Sequence, residues 1–132
     1  MSGIVGSTGA KSGIISNTEN QLKDITSSFT TVGSPWSIWS TWKAFYFNGF
    51  VFLQGGVYAA AATLAQHENF AVIGNSAYYP SYNASFVTVN HQGETASEVK
   101  ITANQQYIQV RDVYNTGDST FRVNFNGWYQ TK

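Results

Sequence analysis

The stretch "KAFYFNGFVFLQGGVY", residues 43–58, decides how the chain is read. Two apolar, aromatic-rich runs flank Asn48-Gly49. That dipeptide suits the two-residue type I′ hairpin turn, because both of its residues accept positive φ. Two antiparallel strands are therefore predicted on either side of it. On the second strand Val51, Leu53 and Gly55 fall on one face, and Phe50, Phe52 and Gln54 on the other. Gly55-Gly56 marks a bulge or a place where another group comes close to the backbone.

The same reading extends in both directions from this hairpin. Downstream, "NFAVIGNSAYYPSY" holds a short strand and then an irregular Tyr-rich loop around Pro80. "SFVTVNH" alternates Phe86 and Thr88 against Val87 and Val89, and "EVKITANQQYIQVRDVY" reads as a second hairpin turning near Ala103-Asn104. "STFRVNFNGWYQTK" closes the chain with strands around Asn126-Gly127. The run Ala59 to Ala65 reads equally as helix, from its alanines, or as strand in a tightly packed place. About eight short strands at eight- to twelve-residue spacing, with no long helix, predict an all-β fold: an antiparallel β-sandwich over residues 35–132.

Upstream, residues 1–34 differ. They hold no Trp or Tyr and one Phe, with much Ser, Thr and Gly. "SGIVGSTGAKSGIIS", residues 2–16, repeats a Ser-Gly-apolar-apolar step and so pairs Ile4-Val5 with Ile14-Ile15. A turn or two of helix is predicted between Thr18 and Ile25, with Thr18 as N-cap and Gln21 closing a capping box. The segment reads as an extended N-terminal arm, able to reach on the order of 100 Å at ~3.3 Å per residue.

Composition narrows the function. Of the 132 residues 11% are charged and 16% aromatic, with seven basic residues balancing seven acidic ones. An ordinary soluble domain is about one-quarter charged. Balanced charge gives no field for nucleic acid or an anionic membrane, and no segment reaches the ~18 apolar residues of a membrane span. With no cysteine, disulfides and thiolate metal sites are excluded. The N-terminus lacks the basic and apolar regions of a secretory signal, so synthesis in a cytoplasm is expected. Such a charge-poor, aromatic surface would be adhesive if left bare, which suggests self-association.

Catalytic constellations are not evident. His67 and Glu68 are adjacent, so on a strand they face opposite ways, and His91 precedes a turn. The seven carboxylates are scattered, and "GSTGAKS" lacks the spacing of a phosphate-binding loop. No enzyme activity, cofactor or metal is therefore expected. Trp36, Trp39 and Trp42, at i, i+3 and i+6, read as core and interface residues. Tyr78, Tyr79, Tyr82 and Asn83, in a loop, combine aromatic planes with hydrogen-bonding tips and are the candidate ligand-binding residues.

The chain also resembles a family: the C-terminal β-sandwich domains, jelly-roll and TNF/C1q-like in topology, of bacteriophage tail-fibre and receptor-binding proteins. The resemblance rests on Asn48 to Gly55, on Tyr78-Tyr79-Pro80-Ser81, on Val99-Lys100-Ile101 with Tyr107 to Val110, and on Phe125 to Tyr129. It lacks the Arg usual before the Pro80 position, and Asn104-Gln105 replaces the usual Asp-Gly. "SGIVGSTGAKSGIIS" is similar to the start of many phage structural proteins. The resemblance implies a homotrimer in the virion, a short fibre or tip. Ile4, Val5, Ile14 and Ile15 would dock the arm on other virion proteins, and loops would be offered to a host-surface glycan or protein. A capsid decoration protein and a carbohydrate-binding module are the alternatives.

Overall fold

In the computed structural model, which describes residues 21–60, 67–89, 96–111 and 120–132, nine strands follow one another. They are β1 (Lys23–Asp24), β2 (Phe29–Thr31), β3 (Ser37–Phe47), β4 (Phe50–Ala60), β5 (His67–Ile73), β6 (Ala84–Val89), β7 (Ala96–Ile101), β8 (Tyr107–Arg111) and β9 (Thr120–Gln130). All pairings are antiparallel, in the order β1-β3-β4-β9-β6-β7-β8-β5-β2. Four strands (β1, β3, β4, β9) form one sheet and five form the other, and the two pack as a sandwich. The antiparallel sandwich expected from strand spacing is what the chain forms; over residues 35–132, where about eight strands are expected, seven (β3–β9) lie among the described residues. Among the described residues there is no α-helix.

The Asn48-Gly49 turn joins β3 to β4 with φ of 46° and 82°, the positive pair that a type I′ turn requires. β4 then pairs with β9 along its whole length, from Phe50 opposite Gln130 to Ala60 opposite Thr120. Strict alternation turns Val51, Leu53, Val57 and Ala59 inward with Phe121, Val123, Phe125 and Tyr129. The second sheet answers with Phe29, Phe70, Ile73, Val99, Ile101, Ile108 and Val110. The β7–β8 turn closes at Ala103-Asn104 as expected, and Asn104 takes the left-handed conformation (φ 59°), which Asn tolerates.

Bulges reset the alternation where the core demands it. In β3 the register slips twice, between Ile38 and Ser40 and between Ser40 and Lys43. Trp36 and Trp42 are buried while Trp39 is exposed, the division that alternation at i, i+3 and i+6 gives. In β5 a slip between Asn69 and Ala71 buries Phe70 and Ala71 in succession. The ring of Phe70 stands 5.9 Å from Trp36, 6.4 Å from Trp42 and 5.5 Å from Phe125. Gly55 admits Trp42: a Cβ on Gly55 would lie 2.6 Å from the indole Cδ1. The Trp42 Nε1–H donates to the Gly56 carbonyl at 3.2 Å. Gly55-Gly56 thus serves a close approach opposite a bulged strand.

The sandwich begins earlier than residue 35. Ile25 and Phe29 are core residues, and β1 and β2 add to the two ends of the strand order. Lys23 lies opposite Tyr46 and Asp24 opposite Phe45, so residues 23–24 are strand, where a helical turn was predicted. The reason is pairing with β3. Ile25 N–H donates to the Ala44 carbonyl at 2.9 Å, and Ala44 N–H donates to the Thr26 hydroxyl at 3.1 Å. Tertiary hydrogen bonds override a short helical tendency. Of the arm predicted over 1–34, the part from Lys23 to Thr31 therefore belongs to the sandwich. Ile4, Val5, Ile14, Ile15 and the start of the helical turn lie outside the described residues, as do residues 61–65 of the alanine run and His91.

Candidate functional site

The Tyr-rich loop is held at three points. Ser81 N–H donates to the Gln130 carbonyl at 2.8 Å, Asn104 N–H to the Pro80 carbonyl at 2.9 Å, and Ala103 N–H to Asn83 Oδ1 at 2.9 Å. Asn75 Oδ1 accepts from Ala77 N–H and caps a 3₁₀ turn, Ser76–Tyr78, that swings Tyr78 inward. Tyr78 is buried, with its ring 5.5 Å from that of Tyr46 and Lys23 Nζ 5.8 Å from its ring centre. Its carbonyl accepts from the buried Tyr129 hydroxyl at 2.8 Å. Burial holds the Tyr129 phenol far above its ordinary value. Tyr79 is half-buried against the core.

The four residues singled out from sequence therefore separate. Tyr78 and Tyr79 pack into the protein, Asn83 ties the loop to the β7–β8 turn, and Tyr82 faces solvent at 72% exposure. His67 is exposed on β5, with Glu68 on the strand's other side. Among the described residues no three His, Asp or Glu side chains converge as metal ligands would.

Beside Tyr82 lies an open groove of about 690 Å³, within the range of small-ligand sites. Residues 82–86, leading into β6, form one wall and residues 126–130 of β9 the other. The two walls belong to different sheets and meet only at their ends. Val89 pairs with Asn124 at one end. Pro80 bridges Thr131 at the other, next to the Ser81–Gln130 hydrogen bond. Between these points the ring of Phe86 lies over Gly127, with a ring carbon 2.5 Å from where a Cβ would sit. Only a glycine permits that contact. Trp128, 61% exposed, stands on the β9 wall with Phe50 edge-on at 5.6 Å.

Trp128 was not among the residues singled out from sequence, although a signal exists. In "TFRVNFNGWYQ" the odd positions 121, 123, 125 and 129 are buried, so period-two alternation places Trp128 on the outer face with Arg122, Asn124 and Asn126.

That outer face of the four-stranded sheet is the second distinctive surface. Cross-strand register sets Phe45, Phe52 and Trp128 in one row and Phe47, Phe50 and Gln130 in the next. Phe47 and Phe52 are 40% and 43% exposed. A polar band of Lys43, Gln54 and Asn126 follows. Beyond it Trp39 meets Tyr58 edge-on at 6.4 Å and stacks under the Arg122 guanidinium at 3.9 Å. Comparison of the chain with known protein families and with curated proteins gave no match.

Proposed function

We propose that this chain is a non-enzymatic virion structural protein: a short phage fibre or tip that assembles as a homotrimer and presents its Tyr82 end to a host surface. One observation carries the assembly: the aromatic rows Phe45/Phe52 and Phe47/Phe50 lie on the outside of a sheet, in a chain that is only 11% charged. A patch of that kind, on a domain whose core is already complete, is a subunit surface. The phage setting and the number three rest on the family resemblance. In this reading the N-terminal arm, with Ile4, Val5, Ile14 and Ile15, attaches the particle-proximal side to other virion proteins.

The test is the solution mass of the full chain, 14.5 kDa per subunit, by light scattering. A stable mass of three subunits is expected, with Phe47→Ser and Phe52→Ser lowering it toward one subunit while the fold persists. A wild-type chain that stays monomeric across concentration overturns the proposal. So does a trimer indifferent to both substitutions, because its interface would lie elsewhere.

A further inference from the structure

We infer that the groove between β6 and β9 is a binding site for a neutral oligosaccharide, held between Tyr82 and Trp128. The inference deepens the reading of the chain as a host-attachment protein and rests on it for its biological setting. Its physical basis is the groove itself.

The lining contains no Asp, Glu, Lys, Arg or His. A phosphate- or sulfate-bearing ligand would meet no cation, and a cationic ligand no carboxylate. The groove instead offers Asn83, Ser85, Asn126 and Gln130, whose amides and hydroxyl each both donate and accept hydrogen bonds. A ligand matched to them carries many uncharged groups that do the same. Saccharide hydroxyls have this character.

The two most exposed aromatic side chains of the region sit on opposite walls, Tyr82 before β6 and Trp128 on β9. Flat rings with polar tips suit the C–H faces of a pyranose, which are apolar while the ring's edge is hydroxylated. Phe50 braces Trp128, and the Pro80–Thr131 bridge and Asn83–Ala103 hydrogen bond anchor the segment bearing Tyr82. The site is therefore largely organised before a ligand arrives, which limits the entropy lost on binding.

The experiment is calorimetric titration of the full chain with cellohexaose, maltohexaose and N-acetylchitohexaose, against oligogalacturonate as an anionic probe. At least one neutral probe should bind saturably and more tightly than oligogalacturonate. Tyr82→Ala and Trp128→Ala should each weaken that binding by ~10-fold or more, and His67→Ala should leave it unchanged. Absence of binding by all three neutral probes overturns the inference, as does preference for the anion or indifference to both aromatic substitutions. Light scattering on the same samples separates the two proposals. Binding by a monomer keeps the glycan site and removes the trimer. A trimer that binds no neutral probe keeps the assembly and removes the site.

Discussion

The hydroxyl of Tyr129, near the end of the last long strand, donates to the main-chain carbonyl of Tyr78 at 2.8 Å, across 51 residues of sequence. Both residues are buried. This hydrogen bond fixes the Tyr-rich loop to the core and so fixes where Tyr82 emerges.

Loss of that bond gives a pH-dependent signature. Burial raises the Tyr129 phenol above its ordinary value near 10, so the folded state favours the neutral form. A group with a raised folded pKa contributes stability that is complete below its unfolded pKa and is lost as pH climbs toward the folded one. Melting temperature should therefore fall above pH ~10. Tyr129→Phe should cost about 1–3 kcal/mol at neutral pH, because the Tyr78 carbonyl loses its donor, and should flatten the alkaline decline. Thermal melts of both proteins from neutral to alkaline pH check this. An equally steep decline in the variant would assign it to other groups.

The two buried tryptophans of the core offer an internal comparison. Trp42 Nε1–H donates to the Gly56 carbonyl, whereas Trp36 Nε1 is buried with no hydrogen-bond partner among the described residues. Replacing either by Phe removes the same volume, but only Trp42→Phe orphans an acceptor. Urea unfolding should show Trp42→Phe to be the more destabilising by about 1–2 kcal/mol. Equal losses would mean that the Trp42 hydrogen bond contributes nothing net.

Gly49 and Gly55 should respond differently to the same substitutions. Gly49 has φ of 82° with nothing within 4 Å of a notional Cβ, so its constraint is the backbone alone. Gly49→Asn should be tolerated, since Asn visits that conformation readily, and Gly49→Ala should cost about 1 kcal/mol. At Gly55 the obstacle is the Trp42 ring, so both Gly55→Ala and Gly55→Asn should cost more, about 1–3 kcal/mol for the alanine. Denaturation midpoints of the four variants decide the matter. Rescue of Gly55 by Asn would show that the ring yields easily.

Period-two patterning and the Asn48-Gly49 turn made the β3–β4 hairpin, the β7–β8 hairpin and the inward face of β4 legible in the sequence, since each is a local consequence of side-chain alternation. The short β1 and β2 were not legible. Lys23–Asp24 and Phe29–Thr31 show no alternation long enough to read, and they become strands because residues 45–46 and 71–73 lie where they can pair. Nor could a loop sequence divide Tyr78 from Tyr82, because the Tyr78 carbonyl is held by a hydrogen bond that Tyr129, 51 positions away, donates. The groove was invisible for a related reason: its walls come from strands that meet only at Val89 and Asn124 within the ladder.

The placement of β1 and β2 has a consequence for handling the protein. They are separated by only four residues, yet they pair with part of β3 at one end of the strand order and part of β5 at the other. One short length of chain thus acts as a selvedge for the whole fabric. A protease cut that released it, or a truncation to residue 35, would unpair residues 45–46 of β3 and 71–73 of β5 at once and lengthen two open edges, each a template for pairing with another molecule. Shortening from the N-terminus should stop before Lys23 if the product is to stay dispersed.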